Sequence, residues 1–250
     1  MIRVGVEQEL IVTHDGIAVD FRGLIRGLKL GGRLLDPIDR NAHRFDDGLV
    51  ITCDGNEAEV ALPPVVVKPG FVRATCDWVG HSTDQLCRAT GIGGLELIGA
   101  STHISVSVPE HLAVETAGIF CRTFAPAVML MMDNEDSPGL LVRPRHQRVE
   151  LGGDFVRGPH LEAAIALSVA GVVLCADVAA GRQSKARLPP PIRLRLSVEA
   201  ISSLVWSAEN PSPPKISASP ASSARASAEW NTTSSAPMTK SRARIPMPLV

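Results

Sequence analysis

The chain has 250 residues, 45% of them apolar, a formal charge of −1 and five cysteines. That length supports one large domain or two small ones around a packed core, and the near-neutral charge argues against a general nucleic-acid binder. Cysteines 53, 76, 87, 121 and 175 are odd in number and widely spaced, which suggests reduced thiols rather than a disulfide framework or a zinc knuckle.

Taken in chain order, Val4 to Val12 alternates apolar with polar residues as a half-buried strand does, and His14-Asp15-Gly16-Ile17 reads as a hairpin turn into a second strand, Ala18 to Phe21. Leu49 to Cys53 and Glu57 to Leu62, joined at Asp54-Gly55-Asn56, form a second hairpin that Pro63-Pro64 stops. Gly70 to Ala89 has helical spacing, Leu95 to Ile98 and Thr102 to Val108 read as strands, and Pro109-Glu110 opens a helix running to about Met132. Leu140 to Val149 looks extended, and Pro159 starts a last helix that ends near Gly181. Hairpins mixed with helices, without regular strand-helix alternation, indicate an α+β fold around a largely antiparallel sheet.

The longest nearly uncharged apolar run, Ala163 to Ala176, is shorter than the ~20 residues a bilayer needs, so no membrane span is expected. Glu7 and Glu9 stand where a secretory signal would place its apolar core, which makes a cytoplasmic address the expectation. Composition changes abruptly near residue 182. Residues 1–182 hold every glycine, histidine and aspartate and carry 16 basic against 23 acidic groups, net −7. Residues 183–250 hold 14 serines, 10 prolines, 9 basic and 3 acidic residues, net +6. Such a stretch buries too little apolar surface to offset the entropy of ordering it, so the reading is a folded unit over 1–182 and a mostly disordered tail over 183–250. Two origins stay open for the tail: a basic Ser/Pro-rich interaction segment, or translation of GC-rich DNA in a shifted frame.

The acids on the strands carry the chemistry. Period 2 puts Glu7 and Glu9 on one face of the first strand, about 7 Å apart, while Val4, Val6, Leu10 and Val12 share the other face with Gln8 as the one polar exception. Glu57 and Glu59 repeat the arrangement opposite Ala58, Val60 and Leu62. Paired carboxylates on sheet strands suit a hard divalent cation, and a solvated sheet face would show the same spacing. His103, Ser105 and Ser107 share one face of their strand, a polar stripe that suits either a ligand-binding floor or an exposed surface. In Arg143-Pro-Arg145-His-Gln-Arg148-Val-Glu150-Leu-Gly-Gly, three guanidiniums could meet phosphate or carboxylate oxygens while Glu150 holds a metal; a solvated basic edge is the alternative.

Gly5-Val-Glu-Gln-Glu-Leu10, Asp54-Gly-Asn-Glu-Ala-Glu-Val-Ala-Leu-Pro-Pro64, Thr102-His-Ile-Ser-Val106 and Arg148-Val-Glu150 come in the order used by glutamate-cysteine ligases and related carboxylate-amine ligases of the glutamine synthetase superfamily. Over about residues 3 to 160 the chain resembles that family. The resemblance implies a curved antiparallel sheet with packed helices and a catalytic site using ATP and Mg²⁺. It implies Glu7, Glu9, Glu59 and Glu150 as metal ligands, Glu57 beside them, and His103 as a ligand or phosphate contact. Arg143, Arg145 and Arg148 would neutralise the transferring phosphoryl group. The implied reaction joins a small-molecule amino acid to an amine through an acyl phosphate, with no nucleic-acid or membrane partner. Closed rings of subunits are common in that superfamily, which makes a homo-oligomer one expectation. An inactive or truncated relative that only binds metal or nucleotide is the alternative, and a guanidino kinase is a third reading. The family often has an arginine just after the glutamate matching Glu150, where this chain has Leu151-Gly152.

Overall fold

The computed structural model describes residues 1–28, 30–34, 41–91, 94–132, 139–190 and 215–216. Its centre is β1 (Arg3–His14), which pairs antiparallel along one side with β8 (Leu95–Ser107) and along the other with β6 (Glu57–Ala61). The ends of β1 also meet two short strands, β2 (Ile17–Ala18) and β7 (Val65–Val66). Beyond β6 lie β5 (Val50–Asp54), β4 (His43–Arg44) and β3 (Arg33–Leu34); beyond β8 lie β10 (Arg148–Asp154), β9 (Leu140–Arg145) and β11 (Lys215–Ile216). Every pairing among the described residues is antiparallel. The fold is α+β, built on one large antiparallel sheet with helices packed on it.

Alternation decides the sheet's two faces. Val4, Val6, Leu10 and Val12 of β1, Ile104 and Val106 of β8, and Val149 and Leu151 of β10 are buried. Against this apolar face pack α2 (Phe71–Gly91), α3 (Ala113–Thr123), α4 (Ala125–Met132) and α5 (Gly158–Ala179), while α1 (Phe21–Leu24) meets β6. The opposite face carries the polar residues.

Several elements depart from the sequence expectations. The strand expected over Ala18 to Phe21 ends at Ala18, because the Asp20 side chain accepts from the Arg22 N–H and starts α1. The two strands expected at Leu95 and Thr102 are one, β8, interrupted where the register skips Ala100 between the pairs Glu9↔Ser101 and Leu10↔Gly99. The single helix expected from Pro109 to Met132 is a 3₁₀ turn at Glu110–Leu112, then α3 and α4, bent by 71° at Phe124. Pro126 sits just past that bend, where its ring would clash with the preceding turn of a continuous helix. The extended run from Leu140 to Val149 is a hairpin of β9 and β10 that reverses at His146-Gln147, with Gln147 left-handed at φ 55°. The short strands β3, β4 and β7 were not anticipated.

The last helix, α5, spans 22 residues and is long and apolar enough to cross a membrane, beyond what the shorter uncharged run suggested. Its residues Leu161, Ile165, Val169, Val172 and Cys175 are buried in the core instead. Of the tail, residues 183–190 contain a 3₁₀ turn at Lys185–Arg187, and 215–216 pair with Leu141 and Leu140 at the edge of β9. The expectation of disorder otherwise falls on 191–214 and 217–250, outside the described residues.

Candidate functional site

Strand register builds the site row by row on the polar face. In one row Gly152 of β10, His103 of β8, Glu7 of β1 and Ala61 of β6 stand side by side; in the next come Asp154, Ser101, Glu9, Glu59 and, on β5, Thr52. On the other side of the His103 row lies the row Arg143, Glu150, Ser105, Gly5, and beyond it Arg145, Arg148 and Ser107. Residues far apart in sequence thus share one surface because six antiparallel strands present the same parity to it.

Within that surface His103 stands between two carboxylates, its Nδ1 3.9 Å from Glu7 Oε2 and 3.8 Å from Glu9 Oε1. The Ser101 hydroxyl donates to Glu9 Oε2 at 2.5 Å and fixes that side chain. Across the strand, Gly152 leaves room for the imidazole: a Cβ there would lie 2.8 Å from His103 Cδ2 and 3.0 Å from Nε2. Glu59 faces Glu9 directly across the β1–β6 pair. Glu57 sits at the hairpin end opposite Asp54, two residues farther along β6 and away from the His103 row.

Glu150 is buried, with its carboxylate held by three guanidiniums: Arg143 Nη2 in close contact, Arg145 Nε at 3.3 Å and Arg148 Nη2 at 3.5 Å. Three cations against one anion leave this cluster at net +2. The sequence reading put Glu150 among the metal ligands. In the fold its oxygens face the arginines, which are in turn tethered by it.

Glu7 on β1 and Glu59 on β6 lie among other carboxylates. Burial and the neighbouring Glu150 raise the Glu7 carboxyl above its ordinary range, against the lowering pull of His103 and Arg148. Burial and the facing charges of Glu7 and Glu9 push Glu59 up to about 7. Burial together with mutual repulsion between neighbouring carboxylates produces both shifts.

A cavity of about 550 Å³ opens at the edge of the acids, reaching from Glu7 past Gly5, Ser105 and Ser107 to Arg3, Arg44 and Arg148, with Pro63 and Pro64 on an apolar wall. The Ser105 hydroxyl is buried there and has no hydrogen-bond partner, so it is free to serve a ligand oxygen. Among the described residues no three His, Cys, Asp or Glu side chains surround one point suited to an ion. Mg²⁺ needs fewer, since it keeps several waters and binds through one or two carboxylates plus substrate phosphates. The oxygen chemistry of Glu7, Glu9 and Glu59 fits it on those terms.

Of the residues singled out from sequence, the fold brings together Glu7, Glu9, Glu59 and His103, places Arg143, Arg145, Arg148 and Glu150 beside them, and leaves Glu57 at the margin. Ser101, Gly152 and Arg44 were missed. Ser101 and Gly152 follow once the register against Glu9 and His103 is known; Arg44 lies on a two-residue strand with no periodicity to read.

No family model matches the chain, and no curated protein matches it. Among solved structures, the chain is similar to one from the crystal structure of the complex between the prokaryotic ubiquitin-like protein Pup and its ligase PafA, at 12% identity and a TM-score of 0.42. The match covers 78% of this chain and 49% of that one, so the chain spans about half the length of the structure it resembles.

Proposed function

We propose that the polar face is the active site of an ATP- and Mg²⁺-dependent carboxylate-amine ligase of the glutamate-cysteine ligase kind. The observation that carries this reading is the placement of Glu7 and Glu9 around His103 with Glu59 facing Glu9, where burial and the charges of Glu7 and Glu9 raise the Glu59 carboxyl to about 7. A divalent cation is the partner that removes that repulsion. Glu9 and Glu59, facing each other, with Glu7 beside them, would hold Mg²⁺, which when bound offsets phosphate charge and orients the transferring group.

The chain's own groups supply the rest. The net +2 cluster of Arg143, Arg145 and Arg148 on Glu150 faces charge that develops on a phosphoryl group. Arg3 and Arg44 in the cavity suit an anionic substrate group, and Ser105 offers a hydroxyl. Cys76, Cys121 and Cys175 are each pushed up by burial to about 11, and Cys87 is raised as well, so none of these thiols is an activated nucleophile. A substrate carboxylate that attacks the γ-phosphoryl group, expelling ADP, gives an acyl phosphate whose acyl carbon an amine then attacks, expelling phosphate and leaving the amide; neither step needs a side-chain nucleophile. Small amino acids and amines are the substrates proposed.

A second reading, a relative that binds nucleotide without turnover, is favoured by the tethering of all three arginines to Glu150. Magnesium-dependent ADP release with mixtures of amino acids and amines separates the two. The ligase reading expects release that depends on both substrates, with an amide in the product mass. Nucleotide binding without release supports the second reading, and a phosphorylated guanidine would show a kinase instead.

A further inference from the structure

Gln8 is the polar residue that breaks the apolar parity of β1, and it is 2% exposed. Its amide is bonded on both sides. Nε2 donates to the Val156 carbonyl at 2.8 Å and to Thr102 Oγ1 at 3.5 Å, while Oε1 accepts from the Thr83 hydroxyl at 3.3 Å. Thr102 Oγ1 also accepts from the Val156 N–H at 3.1 Å. One buried amide therefore links β1, β8, α2 and the segment that leads from β10 into α5.

The position of this network matters because of what stands above it. Gln8 lies between Glu7 and Glu9, and Thr102 between Ser101 and His103; the three cross-strand pairs Glu7↔His103, Gln8↔Thr102 and Glu9↔Ser101 are consecutive. Immediately past them the register skips Ala100. A bulge is a place where pairing can shift by one residue, and a one-residue slip would turn His103 toward the core and Thr102 toward the acids. An apolar side chain at position 8 would fill the same space without marking the register. The anchor on Val156 adds a second constraint, since it ties down the end of β10 whose Gly152 receives the imidazole.

We infer that Gln8 is a positioning residue which, through Thr102 and Val156, fixes the register that holds Glu7, Glu9 and His103 together. The inference rests on the reading of this face as a cation site, and its test is arranged so that the two fail separately. Gln8→Met keeps the length and removes the hydrogen bonds; Thr102→Val removes the shared acceptor, and Thr102→Ser keeps it. Thr90→Val is the control, a residue equally buried on α2 that bonds only within its own helix. Mn²⁺ binding to the full-length chain is followed by the free-ion electron paramagnetic resonance signal, under conditions where each variant is folded. In parallel, the His103 ring resonances are recorded in metal-free protein.

Gln8→Met and Thr102→Val are expected to weaken Mn²⁺ binding by about 10- to 100-fold, the range for losing an outer-shell partner, and to shift the His103 resonances. Thr102→Ser and Thr90→Val should retain both. Wild-type affinity and unchanged His103 resonances in folded Gln8→Met would overturn the inference. If the wild type binds no Mn²⁺, the cation-site reading fails, and the His103 resonances alone decide whether Gln8 positions the imidazole.

Discussion

Individual contacts on the polar face make sharp demands. Gly152→Ala would put a methyl group within 2.8 Å of the His103 ring and push the imidazole off its place between Glu7 and Glu9. Displacements of about 1 Å at a reacting centre cost on the order of 100-fold in rate, so magnesium-dependent turnover should fall by that order while the variant still melts cooperatively. Arg143→Met tests the neighbouring cluster: it strips the closest partner from the buried Glu150 carboxylate while Arg145 and Arg148 remain, and is expected to lower stability by about 2 kcal/mol in denaturant titration. At this scale the sequence was informative where period 2 applied. Glu7 and Glu9 share a face by strand geometry, and so do Glu57 and Glu59, but parity alone could not show that only Glu59 meets β1 at Glu9. Nor could it show that Glu150 turns toward the arginines, because that depends on side-chain geometry within the β9–β10 hairpin.

Elements were legible where a local signal marked their ends, as at Asp15-Gly16, where two consecutive positive φ values make the turn the sequence suggested. They were misread where tertiary packing decided. Nothing local required Leu95 to Ile98 and Thr102 to Val108 to be one strand; continuous pairing with β1 makes them one. The bend between α3 and α4 lets Phe120 and Phe124 close on α5, where Gly171 leaves space for both rings. Gly171→Ala would ordinarily gain about 1 kcal/mol of helix propensity. Here its methyl group would come within 2.8 Å of Phe120 and 2.9 Å of Phe124. Overpacking of this kind costs about 1–3 kcal/mol, so the melting temperature should fall rather than rise.

For the whole molecule, the gathered carboxylates link stability to pH. Glu59 titrates near 7 in the fold against 4.5 as its ordinary value, and Glu7 is raised too, so the native state holds more protons than the unfolded chain across that window. Stability therefore declines as pH rises from about 4.5 to 7. Thermal unfolding of metal-free protein should show that decline, and Glu59→Gln should flatten it; a Glu59→Gln profile that parallels the wild type would contradict the assignment. The α+β class was legible from the pattern of hairpins and helices. Which face of the sheet would be polar followed from the apolar parity of Val4, Val6, Leu10 and Val12.

On the proposed reading, the oxygen donors of this face bind a divalent cation together with a nucleotide. Crystals grown with Mn²⁺ and a non-hydrolysable ATP analogue test it directly through the anomalous signal of the metal. The expected result is a Mn²⁺ peak liganded by Glu9 and at least one of Glu7 and Glu59, with the analogue's phosphates completing its shell. A nucleotide bound elsewhere, or a polar face without metal at saturating Mn²⁺, would contradict it.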